Sequence, residues 1–252
     1  MDSENYKYFD TIYGKGVLLV EMNRLDKRNA FSPEFIYELC NIWDYIENES
    51  HIKIGVLKSK SEDFFSAGAD LEKLIPLLTR KKKPESEIER KVIEENLLKK
   101  FYRKNQIYKK PIIGVSSGHC LAGGFELLLS CDFRIISSDS KIGFPETKLG
   151  LIPAGGGMSR IIKATTRSRA LEILINSSEL DVYKLLNDGL VNEVCSRKDL
   201  IGVLTSYLDK ISNSESNSTE MIIQNVDKFN ELSLQDSFSL EEELLNELSN
   251  EE

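Results

Sequence analysis

The stretch Gly118-His119-Cys120-Leu121-Ala122-Gly123-Gly124-Phe125-Glu126-Leu127 governs how the rest of the sequence is interpreted. A β-rich apolar run ends just before it, small residues turn the chain, and a helix is predicted from about Ala122 to Ser130. Backbone N–H groups at the start of a helix have no intrahelical partner and stabilise nearby negative charge. Glu126 follows Gly123 by three residues and therefore shares its face of the helix. One helical turn can thus present a backbone donor beside a carboxylate, although glutamate in a first turn is also a common stabilising placement.

Two further turns have similar chemistry. Ala67-Gly68-Ala69-Asp70 follows another apolar run and can offer the N–H of Ala69, and two converging N–H groups form an oxyanion hole. In Ile142–Gly150, Pro145 favours a helix start and brings Glu146 just inside it. Each motif is weak alone, because glycine turns after strands and glutamates at helix starts are frequent.

Alternating apolar runs and amphipathic segments predict a mostly parallel α/β sheet. The first elements are a hairpin, Tyr6 to Tyr13 followed by Val17 to Met22, and a helix from Pro33 to Glu49. A long charged helix is predicted from Glu87 to about Tyr108. We expect a core domain over residues 1–200 and an acidic, helical tail region over 201–252.

Composition restricts the possible functions. The 252-residue chain has a formal net charge of −8, which disfavours general nucleic-acid binding, although residues 73–110 form a basic segment. Only two histidines and four scattered cysteines are present, so we expect no metal site. No apolar run approaches the roughly 20 residues of a membrane span, and no targeting signal is visible, so a cytoplasmic location without membrane association is expected.

One motif is typical of serine hydrolases. Gly114-Val115-Ser116-Ser117-Gly118 matches the G-x-S-x-G nucleophile elbow. That fold requires an acid and then a histidine downstream of the serine, but His51 lies upstream and His119 follows the serine by only three residues. The inventory of side chains therefore excludes this chemistry.

Taken in order, the motifs resemble the enoyl-CoA hydratase/isomerase (crotonase) superfamily. The matching pieces cover roughly residues 10 to 200 and are Asn23–Ala30 (NRLDKRNA), Phe65–Leu71 (FSAGADL), Ala122–Leu127 (AGGFEL), Phe144–Pro153 (FPETKLGLIP) and, more weakly, Asn187–Val194 (NDGLVNEV).

The resemblance implies an α/β fold with a crotonase-like ββα spiral core and a shortened C-terminal helical region. It implies Glu126 and Glu146 as catalytic acid/base residues, and the N–H groups of Ala69 and Gly123 as the oxyanion hole. The residues implied for substrate binding are Lys27, Arg28, Ala30, Ala67, Gly68, Asp70, Leu71 and Gly124. No cofactor is expected beyond the coenzyme A of an acyl-CoA substrate. Relatives usually form trimers or dimers of trimers, so a homotrimer or hexamer is expected.

The expected activity is addition of water across the 2,3-double bond of an enoyl-CoA thioester, because both acid/base positions are glutamate. Three alternatives stay open. A family isomerase would shift a 3-enoyl double bond using one glutamate. An RNA-binding protein would use the basic segment at residues 73–110, and a non-catalytic scaffold would use neither glutamate.

Overall fold

The structure is a computed structural model that describes residues 6–104, 108–175 and 179–250. Its nine strands in these ranges are β1 (Phe9–Gly14), β2 (Val17–Met22), β3 (Ile54–Ser59), β4 (Phe64–Ser66), β5 (Ile112–Ser116), β6 (His119–Leu121), β7 (Phe133–Ser137), β8 (Ile142–Gly143) and β9 (Glu193–Cys195).

The same ranges contain eleven α-helices. They are α1 (Pro33–Asn48), α2 (Ile75–Leu78), α3 (Glu87–Ile93), α4 (Leu98–Phe101), α5 (Gly123–Leu129), α6 (Gly157–Ala164), α7 (Arg167–Ile175), α8 (Val182–Asn187), α9 (Leu200–Ser212), α10 (Ser216–Phe229) and α11 (Leu234–Asn250). Short 3₁₀ helices are formed by Leu25–Lys27, Pro145–Leu149 and Arg197–Asp199.

Two sheets form the core. The larger has the order β1-β2-β3-β5-β7-β9, with β1 antiparallel to β2 and the other pairs parallel. The smaller has the order β4-β6-β8, and its pairs are parallel. Each successive pair, β3 with β4, β5 with β6 and β7 with β8, adds one strand to each sheet. This progression is the expected ββα spiral.

Local chemistry explains why the first helix begins where it does. The Ser32 side chain accepts a hydrogen bond from the N–H of Phe35, and Pro33 occupies the first helical position. The apolar stripe of this helix, including Phe35, Leu39 and Trp43, is buried in the main core. The predicted hairpin and first helix are therefore confirmed to within a few residues.

The predicted long helix from Glu87 to Tyr108 was wrong. The chain forms α3 and α4 instead, because Asn96 lies between them in the left-handed region at φ 56° and Arg103 follows α4 at φ 49°. Residues 105–107 of that prediction lie outside the described residues.

The tail region is helical. In α9, Leu200 and its neighbours pack on the face of the larger sheet formed by side chains such as Val56, Ile113 and Ile135. By contrast, α10 and α11 expose large apolar side chains: Ile222, Val226, Leu234, Phe238 and Leu245. Within the described ranges, no helix is long and apolar enough to cross a membrane.

Candidate active site

The smaller sheet brings the three sequence motifs together. The turn at Ala67 follows β4, the α5 helix follows β6, and the 3₁₀ helix carrying Glu146 follows β8. Because β4, β6 and β8 are parallel neighbours, their carboxyl ends lie at one edge of the sheet. The candidate site is therefore built at the edge of three strands that are only two or three residues long.

Glu126 lies in the first turn of α5 and is buried. Its Oε1 accepts a hydrogen bond of 2.9 Å from the N–H of Gly157. Burial raises the pKa of the carboxyl, while the N–H groups of Gly157 and Gly155 and the charges of Lys104 and Arg160 oppose that rise. The surroundings thus provide donors that stabilise a carboxylate at this position.

Glu146 is also buried but has different surroundings. Among the described residues, its Oε2 has no hydrogen-bond partner. Burial raises the pKa of Glu146 to about 7, and the negative charge of Glu126 adds to the rise. The two carboxyls therefore interact, and the one at Glu146 favours the protonated form.

Beneath the two glutamates the chain is apolar and close-packed. Phe125 and Phe144 stack with ring centroids 5.0 Å apart, and both rings are almost fully buried. Each phenylalanine lies within two residues of one glutamate, so the ring pair fixes the separation of the segments that carry the carboxyls.

The N–H groups of Ala69 and Gly123 lie side by side. A β-carbon placed on Gly123 would be 3.6 Å from the Ala69 nitrogen, and one on Gly68 would be 2.8 Å from the Gly123 nitrogen. Phe31 donates to the Gly68 carbonyl and accepts from the Asp70 N–H, so in this parallel bridge the Ala69 N–H points away from Phe31. Gly123 is the first residue of α5, where the N–H has no intrahelical acceptor. The two backbone nitrogens therefore lie close together.

Other residues expected to bind substrate lie in two adjoining loops. Lys27 and Arg28 are exposed, and Lys27 is 3.6 Å from Glu72. The N–H of Ala67 donates to the Arg28 carbonyl, and Leu71 is 64% exposed. Ala30 accepts a hydrogen bond from Arg24 through its carbonyl. These residues form one rim beside Gly68 and the donor pair.

Two further residues expected to bind substrate also have packing roles. Asp70 is buried and forms an ion pair of 2.7 Å with Arg24, so its carboxylate is already engaged. A β-carbon on Gly124 would be 2.5 Å from the Ser66 carbonyl oxygen, so this glycine allows α5 to pack on β4 rather than admitting a ligand.

Several residues of the site were missed by the sequence reasoning. The glycine run at residues 155–157 was not among the predicted site residues, yet the N–H of Gly157 holds Glu126. Ala122 adopts φ 52° at the start of α5, an uncommon conformation for a residue other than glycine. Tyr102 was not singled out, and its ring lies against Gly155. Apart from the glycines, no local pattern could have identified these positions.

Comparison with known proteins agrees with this architecture. Residues 13–252 match the family model described as enoyl-CoA hydratase/isomerase, so the chain belongs to that family. A short-chain-enoyl-CoA hydratase of Clostridium acetobutylicum is 26% identical over 92% of this chain and 85% of its own length. A mevalonyl-coenzyme A hydratase of Aspergillus fumigatus is 27% identical over 82% and 73%.

Solved structures share the fold. The crystal structure of enoyl-CoA hydratase subunit I from Geobacillus kaustophilus superimposes with a TM-score of 0.85 at 26% identity. That match covers 98% of this chain and 91% of the other, so it includes the C-terminal helices. The expected α/β crotonase fold is confirmed, and the family is one of lyases and isomerases.

Proposed function

We propose that the protein is an enoyl-CoA hydratase that adds water across the 2,3-double bond of an enoyl-CoA thioester, with Glu126 as base and Glu146 as acid. The observation that carries the proposal is the difference between the two buried carboxyls. Glu126 accepts a backbone hydrogen bond, whereas Glu146 has an unpartnered oxygen and a pKa raised by burial to about 7. Two carboxyls whose surroundings give them different pKa values are suited to opposite roles, one as base and the other as acid.

The thioester oxygen would bind between the N–H groups of Ala69 and Gly123. Attack at C3 moves negative charge onto that oxygen, so donors fixed there stabilise the transition state more than the ground state. Glu126 takes a proton from water as the water oxygen bonds to C3, and Glu146 delivers a proton to C2. Proton exchange with solvent then restores both carboxyls, and no cofactor is required beyond the coenzyme A of the substrate.

The coenzyme A portion would lie along the rim that contains Lys27 and Arg28. Both are exposed cations next to the loop that provides Ala69, and an arginine can bind a phosphate through two parallel hydrogen bonds. In this proposal the nucleotide lies at the surface and the acyl end lies in the buried site.

The basic segment at residues 73–110 supports an RNA-binding role poorly. Many of its cations have acidic or carbonyl partners: Lys82 with Glu89, Lys91 with Glu87, Lys100 with Asp44, and Arg103 with Asp132. Lys110 donates to the carbonyls of Ile46 and Glu49. Paired charges release few counterions on binding a nucleic acid.

Assembly as a homotrimer or a dimer of trimers is part of the proposal. The exposed apolar side chains of α10 and α11 support it, because large exposed apolar areas mark contacts between proteins. A second or third copy of the chain is the partner we infer.

The test is product analysis with the purified protein and two substrates. With crotonyl-CoA we expect loss of the ultraviolet absorbance of the conjugated thioester and formation of 3-hydroxybutyryl-CoA. An isomerase would instead leave crotonyl-CoA unhydrated and convert a 3-enoyl-CoA to the conjugated isomer. Failure to hydrate crotonyl-CoA or any longer or branched 2-enoyl-CoA would contradict the proposal.

A further inference from the structure

Two cations contact the glycine loop of the site, residues 154–157. Arg160 lies in the first turn of α6, directly after the loop. A β-carbon on Gly156 would lie 2.3 Å from Nη1 of Arg160 and 3.1 Å from Cε of Lys104, so both side chains pack on this glycine. The Nζ of Lys104 also donates to the Ala154 carbonyl at 2.5 Å. Both cations are therefore in direct contact with the loop that supplies backbone donors to the site.

The same two side chains join the glycine loop to the segment that follows α4. Nη2 of Arg160 donates to the Tyr102 carbonyl at 2.8 Å, and Lys104, two residues further along, donates back to the loop. On the other side of the loop, the N–H of Gly157 donates to Oε1 of Glu126 at 2.9 Å. The loop is thus bound to the two cations at one side and to the carboxylate at the other.

Neither cation has a carboxylate partner of its own. Among the described residues, Lys104 and Arg160 form no ion pair, whereas the intervening Arg103 pairs with Asp132 at 2.7 Å. Nη1 of Arg160 is buried and, within the same ranges, has no hydrogen-bond partner. Burial lowers the pKa of both side chains, which reflects the cost of holding a cation away from water without a paired anion. Groups perturbed in this way are concentrated at functional sites.

The groups that face Glu126 come from several elements. Lys104 lies after α4, Arg160 lies in α6, and Glu146 lies in the 3₁₀ helix after β8. Tyr102 faces the same carboxyl as an uncharged phenol, because burial raises its pKa well above the ordinary value. Burial favours the protonated form of Glu126, and a charged Glu146 does the same. The two cations and the N–H groups of the glycine loop act in the opposite direction.

We propose that Lys104 and Arg160 are positioning residues that hold the glycine loop on Glu126 and keep this carboxyl ionised, so that it can act as the base. The inference rests on the proposed function, because it concerns the base of the same hydration reaction. Removal of either positive charge makes Glu126 easier to protonate, so activity is lost at a higher pH on the acid side of the profile. Loss of packing alone would lower activity at every pH and leave the acid-side midpoint where it is.

The experiment measures kcat/KM for crotonyl-CoA from pH 4 to 9 in the parent protein and four variants. Lys104→Met and Arg160→Met each remove a charge at similar side-chain length, and we expect the acid-side midpoint to rise by about one pH unit in each. Lys104→Arg keeps the charge and should keep the parent midpoint. Lys163→Met is the matched control, because it removes an exposed cation of α6 that pairs with Glu231. The midpoint does not depend on the amount of folded protein.

The inference is wrong if the midpoint is unchanged in either Lys104→Met or Arg160→Met, or if Lys104→Arg or Lys163→Met moves it as far. If the parent protein hydrates no 2-enoyl-CoA, the proposed function fails instead. Infrared titration then tests the inference without catalysis, because the carboxyl band that Glu126→Gln removes reports the protonation of Glu126. A higher midpoint for that band in Lys104→Met than in the parent supports the inference, and equal midpoints refute it.

Discussion

At the scale of single residues, Glu146 combines an advantage for chemistry with a cost in stability. Its raised pKa means that the folded state binds a proton more tightly than the unfolded chain does. The stability of the fold is therefore greatest at low pH with respect to this group, and it falls as pH rises from about 4.5 through about 7.

Replacement of the Glu146 carboxyl should have opposite effects on stability and on activity. We expect Glu146→Gln to raise the free energy of unfolding at pH 8 by about 3 to 4 kcal/mol, since the pKa rises from 4.5 to about 7 and each pKa unit corresponds to about 1.4 kcal/mol. Hydratase activity should fall at the same time. Urea denaturation at pH 5 and pH 8 measures the first effect. If the variant is no more stable than the parent at pH 8, the claim that Glu146 is buried and charged at that pH is wrong.

The proton on Glu146 also predicts the pH dependence of hydration. Since Glu146 acts as the acid, kcat/KM for crotonyl-CoA should decline tenfold per pH unit once the pH exceeds the upper apparent pKa of the carboxyl pair, near 7. A pH–rate profile from pH 5 to 9 measures it. Activity that rises steadily from pH 7 to 9 would contradict the assignment of Glu146 as acid.

Gly155 provides a geometric test of the Glu126 environment. A β-carbon there would lie 2.6 Å from both the Glu126 carboxylate and the Tyr102 ring, which is closer than atoms can approach. We expect Gly155→Ala to reduce kcat/KM for crotonyl-CoA by at least about a hundredfold. Gly202→Ala is the matched control, because nothing lies within 4 Å of that position and activity should be retained. Equal activity of the two variants would show that Gly155 has no such role.

At the scale of elements, a network of bonds joins the loop carrying Lys27 and Arg28 to the turn carrying Ala69. Asn29 donates to the Phe65 carbonyl, Ser66 donates to the Asn29 carbonyl, and Phe31 exchanges two backbone bonds with the Gly68–Asp70 turn. The ion pair of Arg24 with Asp70 closes the network. Although burial opposes it, bonds from Arg24 and from the N–H groups of Lys73 and Glu72 hold the pKa of Asp70 below its ordinary value.

We predict that Arg24→Ala destabilises the fold by about 3 kcal/mol, because it leaves a buried carboxylate without its partner. Lys27→Ala is the control in the same loop, since the exposed Lys27–Glu72 pair contributes less than about 1 kcal/mol. Chemical denaturation of both variants at pH 7 measures the difference. Equal, small changes in the two would show that the ion pair does not hold the loops together.

The longer elements were predictable from sequence, and the shortest were not. Apolar patterning predicted α1 and the hairpin formed by β1 and β2. It missed β4 and β6, because each has three residues and so short a strand cannot show an apolar alternation. Those strands align the motifs, so the meeting of Glu126 and Glu146 followed from family resemblance and not from pattern. Asn96 is left-handed in the break between α3 and α4, and Arg103 is left-handed just after α4; residue type alone specifies neither conformation.

At the scale of the whole molecule, the C-terminal helices divide into two kinds. α9 is fixed to the larger sheet by apolar contacts, whereas α10 and α11 present apolar side chains outward. We predict a particle of three or six times the 28.6 kDa chain mass in light scattering. Ile222→Asp and Phe238→Asp together should lower that mass, since charge in an apolar interface is costly. A monomeric parent protein would contradict the assembly.

The central claim is that Glu126 and Glu146 act as a pair on one enoyl thioester, and hydration of crotonyl-CoA by single glutamine variants tests it most directly. We predict that Glu126→Gln and Glu146→Gln each reduce kcat about 100- to 10,000-fold, while Glu172→Gln, an exposed control, retains parent activity. If either site variant hydrates crotonyl-CoA at the parent rate, that glutamate takes no part in the reaction and the paired mechanism is wrong.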